Sequence, residues 1–176
     1  MSLSNIASNL FSKGGKAQVL SQSDNDVVIV AAVRSAITKG MKGGFKDTRP
    51  EEYLSAILGA VVKNSGIDPA LVEDIAVGNV LPPGGGALTA RMAALAAGIP
   101  ETVPVSTVNR QCSSGLQAVN TIAGEISSGQ IDIGIGEFDT SSHRFLRQIL
   151  SFVIRRRCRI DDFWFRPSFF PARGYL

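Results

Sequence analysis

Asn109-Arg110-Gln111-Cys112-Ser113-Ser114-Gly115-Leu116-Gln117-Ala118-Val119-Asn120 sets a single cysteine where an extended segment turns into a helix. Upstream, Val103 to Asn109 (VPVSTVN) reads as a strand, and Pro104 marks it as an edge strand or a strand start. Downstream, Leu116, Val119, Ile122, Ala123 and Ile126 recur at helical spacing, and Ser127-Ser128-Gly129 closes the helix. Cys112 therefore falls among the N–H groups that a helix leaves unpaired in its first turn, where the positive end of the dipole favours an anionic sulfur. An isolated cysteine is also commonly a small buried hydrophobe. Position alone leaves both readings open.

Working outward, the same alternation of strand and helix recurs on both sides. Val27 to Val33 (VVIVAAV) is an apolar run of strand length, and it predicts a strand buried on both faces of a parallel sheet. Asp47-Thr48-Arg49-Pro50-Glu51-Glu52 signals a helix start, and Tyr53, Leu54, Ile57, Leu58, Val61 and Val62 give its apolar face before Asn64-Ser65-Gly66. The adjacent carboxylates Glu51 and Glu52 suit the first turn of that helix better than acid–base chemistry, since neighbouring helical residues do not face one another. Ile75 to Leu81 (IAVGNVL) is a second strand, broken by Pro82-Pro83-Gly84-Gly85-Gly86, which reads as a loop before an alanine-rich helix from about Leu88 to Ala97. Ile131 to Gly136 (IDIGIG) alternates as a fourth strand. The sum, β-α-β-α-β-α-β with short connections, predicts a layered α/β domain with right-handed crossovers. Ligands of such sheets sit beyond the C-terminal ends of the strands, which is where Cys112 stands. Backbone N–H groups at and after the cysteine would then be available to an oxyanion in acyl transfer.

Composition narrows the function classes. With 176 residues, 44% of them hydrophobic and 19% charged, the chain is long enough for one core of ordinary globular type. Cys112 and Cys158 do not make a disulfide framework, and no residues have metal-ligand spacing. No apolar run reaches the roughly 20 residues of a membrane-spanning helix. Gly40, Gly43 and Gly44 with their flanking lysines form a basic loop, but the spacing matches neither a P-loop nor a dinucleotide fingerprint.

Charge and aromatic content change abruptly near residue 137. Before it, 10 Lys and Arg face 11 Asp and Glu; from Glu137 onward, 8 arginines face 4 acids, and seven of nine phenylalanines and the single tryptophan lie there. Within this tail Phe145, Leu146, Ile149, Leu150, Val153 and Ile154 have helical spacing beside Arg155-Arg156-Arg157, a pattern compatible with an anionic surface, nucleic acid or simple disorder. Residues 1–25 read as a leader or a disordered terminus, with Leu3, Ile6, Ala7, Leu10 and Phe11 at helical spacing.

Residues 26–136 resemble the N-terminal half of thiolases, most of all peroxisomal 3-ketoacyl-CoA thiolases. Four motifs carry the resemblance: Val28-Ile29-Val30-Ala31-Ala32-Val33-Arg34-Ser35-Ala36-Ile37, Gly43-Gly44-Phe45-Lys46-Asp47, Gly78-Asn79-Val80-Leu81, and Ser106-Thr107-Val108-Asn109-Arg110-Gln111-Cys112-Ser113-Ser114-Gly115-Leu116-Gln117-Ala118-Val119. The last is highly specific. The resemblance implies a thiolase-like α/β N-terminal domain, incomplete here, and an acetyl-CoA C-acyltransferase reaction of fatty-acid β-oxidation. In it Cys112 is the acyl-accepting nucleophile and its backbone N–H helps form an oxyanion hole. Coenzyme A enters as co-substrate, with no separate cofactor and no metal. The family is dimeric or tetrameric, so a homo-oligomer is implied, with no nucleic acid and no integral membrane association.

The family's further groups sit in its C-terminal half: a histidine in Gly-His-Pro, a cysteine in Cys-x-Gly and an asparagine in Asn-Glu-Ala-Phe. None of these contexts occurs here, and neither His143 nor Cys158 matches them. The sequence is also less than half the usual family length and lacks the loop domain that carries most coenzyme A contacts. The match stops near Glu137, coincident with the compositional break, so residues 137–176 are expected to be an unrelated tail, out-of-frame or alternatively spliced. Two alternatives stand beside a thiolase fragment: a catalytically inactive half-domain acting as an interaction module, and another thiolase-like condensing enzyme such as a ketoacyl synthase. Location follows the resemblance, peroxisomal with mitochondrial as the alternative; Lys16 to Asp24 (KAQVLSQSD) matches a peroxisomal nonapeptide only loosely.

Overall fold

The computed structural model describes residue 23, residues 25–40, 42–139, 146 and 147, and residues 149–156, the backbone alone from 138 onward. By mutual contacts Val27–Arg156 forms one unit, and Met1–Asp26 with Arg157–Leu176 forms another. Of the latter, the described residues make a turn in which the Ser23 N–H donates to Asp26 Oδ2 at 2.9 Å. The leader helix expected around Leu3 to Phe11 lies outside the described residues, as do His143 and Cys158.

The larger unit runs β1 (Val27–Arg34), β2 (Thr38–Lys39), α1 (Pro50–Ser65), β3 (Asp74–Gly78), α2 (Ala87–Ala96), β4 (Val105–Val108), α3 (Ser114–Ser128), β5 (Ile133–Asp139), β6 (Leu146–Arg147) and β7 (Ile149–Arg156). Five strands form one sheet in the order β1-β7-β5-β3-β4, and β2 pairs with β6 separately. β3 is parallel to both β4 and β5, whereas β7 runs antiparallel to β5 and β1. The expected β-α-β-α-β-α-β succession is therefore present, and β4 is the edge strand that Pro104 suggested.

Period-two alternation sorts the sheet into two faces. Ile75 and Val77 of β3 and Ile135 of β5 join Tyr53, Leu54, Leu58, Val61 and Val62 of α1 and Ala90, Ala93 and Ala94 of α2 in one cluster. Ala76, one residue out of phase, meets Ala118, Ile122 and Ile126 of α3 on the other face. The result is three layers, with α1 and α2 on one side and α3 alone on the other.

Beneath α3 the strands carry almost no side chain. A Cβ built on Gly136 would lie 2.8 Å from Val119 Cα, one on Gly134 2.7 Å from Ile122 Cγ2, and one on Gly78 would overlap the Ser114 carbonyl. The alternation Ile133-Gly134-Ile135-Gly136 thus does two jobs: isoleucines fill the α1/α2 face, and glycines let α3 rest on backbone.

Four expectations need correction. β1 is half-buried rather than buried on both faces, with Ile29 53% exposed, because it is an edge strand with an antiparallel partner. A register shift between Ile29 and Ala31 also breaks its alternation, so Val30, Ala31 and Val33 all pack toward the α1/α2 cluster. The second strand stops at Gly78, three residues early, where the chain turns toward β4 and the Asn79 N–H donates to Val108 O at 3.0 Å. The fourth strand runs Ile133–Asp139 rather than Ile131–Gly136, continuing past the compositional break at 137. Finally, the tail residues read at helical spacing include Ile149–Arg156, which is a strand filling the position between β1 and β5. A short segment with five apolar residues in eight carries either period, and the open hydrogen-bonding edges of two neighbours decide it.

The glycine seat makes a paired prediction. Gly136→Ala would force α3 off the sheet and destabilise the fold by about 2 kcal/mol, as over-packing against backbone does. Gly59→Ala, in α1 with nothing within 4 Å of the new Cβ, stabilises by about 0.5–1 kcal/mol through helix propensity. Thermal melts of the two variants should shift in opposite directions.

Candidate active site

Cys112 lies in the five-residue connection between β4 and α3, and its side chain is exposed. The connection is short because Val108 is still in the ladder and Ser114 already starts the helix. To turn that quickly the chain uses Gln111 at φ +52°, the one non-glycine residue with positive φ among the described residues. Such a conformation costs an L-residue about 1 kcal/mol, so its surroundings must hold it.

They do so through the backbone polar groups of residues 110 and 111. The Gln111 N–H donates to Asn109 Oδ1 at 2.9 Å, and Asn109 Nδ2 reaches across to donate to Val80 O at 3.1 Å. The Arg110 N–H donates to Ser114 Oγ at 2.9 Å, and that hydroxyl donates to Gln111 O at 2.6 Å. The Ser113 N–H donates to Arg110 O at 3.1 Å and the Ser114 N–H to Gln111 O at 3.0 Å. Among the described residues none accepts from the Cys112 N–H. The loop is thus hydrogen-bonded on both sides of the cysteine, while the N–H beside the sulfur is left to donate outward.

A second tie fixes the level of the loop relative to the sheet. Asn79, 2% exposed, follows directly on β3, and its Nδ2 donates to Gly85 O in the triple-glycine turn. Gly78 meets the first residue of α3 with no room for a Cβ. The C-terminal ends of β3 and β4 and the N-terminus of α3 therefore converge around Cys112, as expected for a ligand site in an open α/β sheet.

On the outer side of α3, Arg110 Nη1 donates to Gln117 Oε1 at 2.9 Å, and Gln117 Nε2 donates to Thr121 Oγ1 at 3.2 Å. A depression of about 580 Å³ there is lined by Arg110, Ser113, Leu116, Gln117 and Asn120. Cys112 stands one residue from this lining rather than within it.

Other candidates fall away from the site. In the basic loop the Gly43 N–H donates to Lys39 O at 2.7 Å and the Lys46 N–H to Gly43 O at 3.0 Å, so amides that a phosphate would use are engaged within the loop. Glu52 Oε2 accepts from the Arg49 N–H at 2.9 Å, the helix-start role expected of that carboxylate pair. Asp74 and Glu125 form a carboxylate pair. Burial raises the Asp74 carboxyl above its ordinary range; burial and then the Asp74 charge raise that of Glu125. They occupy the start of β3 and the end of α3, the opposite end from Cys112. Among the described residues no group of three or more His, Cys, Asp or Glu is placed to hold a metal, and no helix is long and apolar enough to cross a membrane.

Sequence reasoning singled out Cys112 but missed Ser114 and Asn109, whose work is done through hydrogen bonds that close only in the turn. The signal available was chemical: asparagine and serine on either side of a tight strand-to-helix connection are the residue types that bond nearby backbone.

Residues 27–137, more than half of the chain, match the family model described as thiolase, N-terminal domain. The chain belongs to the thiolase family. It is 54% identical over 136 residues to the peroxisomal 3-ketoacyl-CoA thiolase of Yarrowia lipolytica, covering 76% of this chain and 33% of that protein. Two structures of the peroxisomal thiolase of Saccharomyces cerevisiae also align. One, described as five-layered and built from two core domains of identical topology, superposes with TM-score 0.72 at 29% identity, covering 78% of this chain and 62% of that one. The other, described as dimeric, gives TM-score 0.65 at 48% identity over 69% and 32%. The chain thus spans about one third of the length of the curated relative it matches.

The loop's dependence on Asn109 is testable. Asn109→Ala removes the acceptor for the Gln111 N–H and the bond to Val80 O, a loss of about 1–2 kcal/mol. Hydrogen exchange of the Gln111 amide should accelerate about tenfold in this variant, with the amides of α1 unaffected.

Proposed function

We propose that this polypeptide carries the nucleophilic half of a thiolase active site, with Cys112 as the acyl-accepting group of a 3-ketoacyl-CoA thiolase. One observation carries the reading: within a thiolase N-terminal domain, an exposed cysteine stands at the turn from β4 into α3, beside a backbone N–H with no acceptor among the described residues. In the reaction the cysteine sulfur attacks the 3-keto carbon. The C2–C3 bond breaks, its electron pair is protonated to give acetyl-CoA, and the shortened acyl group remains on sulfur. The thiol of coenzyme A then attacks that thioester, takes the acyl group and returns the proton to the cysteine. The Cys112 N–H is placed to donate to the oxyanion of each tetrahedral intermediate.

Proton transfer in both steps needs a base and acid that these 176 residues do not supply in the family's sequence contexts. His143, the one histidine, stands between Ser142 and Arg144, not in a Gly-His-Pro segment. The reading is therefore a catalytic half, completed by a second core domain of the kind named for the five-layered relative. The outer side of α3, where Leu116 is 74% exposed, suits such a neighbour. Homo-oligomerisation, as in the dimeric relative, is supported by the edge position of β4 and by Leu88, Met92 and Leu95, which lie exposed along one side of α2. The names of the relatives place such an activity in peroxisomes.

A purified polypeptide of this sequence, assayed with a 3-ketoacyl-CoA and coenzyme A, should form acetyl-CoA at less than roughly one-thousandth of an intact thiolase's rate, the scale lost when a general base and acid are both missing. Ready acetyl-CoA formation that disappears in Cys112→Ser would show that the chain needs no second half.

A further inference from the structure

We infer that Ser114 is a positioning residue for Cys112, acting through the left-handed Gln111; the inference rests on the reading of Cys112 as a nucleophile. The helix-start residue is Ser113, whose side chain makes no capping bond. Ser114, one position inside the helix, is fully buried. A serine capping a helix accepts from N–H groups ahead of it in the chain. The Ser114 hydroxyl does the reverse: it accepts from the Arg110 N–H at 2.9 Å and donates to Gln111 O at 2.6 Å, both behind it. It is a clasp on the loop, not a cap on the helix.

The clasp brackets one peptide unit. Its two bonds grip the N–H of Arg110 and the carbonyl of Gln111, the residues whose dihedrals set where Cys112 emerges. Gln111 sits at φ +52°, a conformation from which an L-residue relaxes unless held. Ser114 in turn cannot retreat, because its own carbonyl lies against Gly78, where no Cβ fits. The seat at Gly78 thus fixes Ser114, Ser114 fixes Gln111, and Gln111 sets the direction of the sulfur and of the N–H beside it.

The test uses the full 176-residue chain and measures the second-order rate of Cys112 alkylation by iodoacetamide at fixed pH, resolved from Cys158 by peptide mass spectrometry. Ser114→Ala removes both bonds of the clasp and should slow Cys112 at least about fivefold, the scale of one lost hydrogen bond. Glycine adopts positive φ without strain. Measured against Gln111→Gly itself, the further change Ser114→Ala should therefore cost less than about twofold. An equal loss in both backgrounds, or no loss in the first, overturns the positioning role. A measurement on the parent needs no variant: the Arg110 amide should exchange at least about tenfold more slowly than the Cys112 amide, and equal rates contradict the clasp. If Cys112 of the parent reacts no faster than a cysteine in an unstructured peptide, the nucleophile reading itself fails and the positioning role falls with it.

Discussion

The contact on which the rest depends is that of helix α3 with bare sheet backbone. Ala76, Gly78, Gly134 and Gly136 present almost no side chain on that face, so the helix approaches until Val119, Ile122 and Ser114 touch the strands themselves. Interiors pack to the density of organic crystals, and a single added methyl at such a contact has nowhere to go. The opposite face of the same strands is conventional, with isoleucine and valine against α1 and α2. One sheet therefore has a thick face that supplies most of the apolar burial and a thin face that supplies positional accuracy.

That accuracy matters at one end of α3. Gly78 sets the first residue of the helix, Ser114, against the end of β3, and the five-residue connection from β4 must reach it in a tight turn with a strained Gln111. Asn109 and Ser114 absorb the backbone groups of the turn. Cys112 is what remains outside, with an exposed sulfur and an N–H that none of the described residues accepts from. Under the acyl-transfer reading proposed for Cys112, this packing constraint would set a reaction geometry, with sulfur and N–H drawn from the same residue and held by elements that cannot slide.

Much of this was legible in the residues and some was not. Hydrophobic periodicity gave the three α-helices α1, α2 and α3 to within one or two residues at either end, and Pro104 correctly put β4 at an edge. The place of Cys112 at a strand-to-helix junction was legible because the patterns of β4 and α3 end on either side of it. What the sequence hid depends on sheet order. VVIVAAV reads as a doubly buried strand because its composition is apolar throughout, yet it lies at an edge where a register shift turns its residues unevenly. The run at Ile149–Arg156 carries both periods, and only the vacancy between β1 and β5 makes it a strand. The clasp by Ser114 was invisible for a similar reason: a serine in Cys-Ser-Ser-Gly has a choice of partners until the turn closes.

The seat of α3 can be observed directly by nuclear Overhauser spectroscopy on the 176-residue chain. Cross-peaks should connect the Gly136 Hα protons with the Val119 methyls and the Gly134 Hα protons with the Ile122 methyls, since glycine lets these groups meet at van der Waals distance. A spectrum in which β5 and α3 are both formed but these cross-peaks are missing would contradict the account.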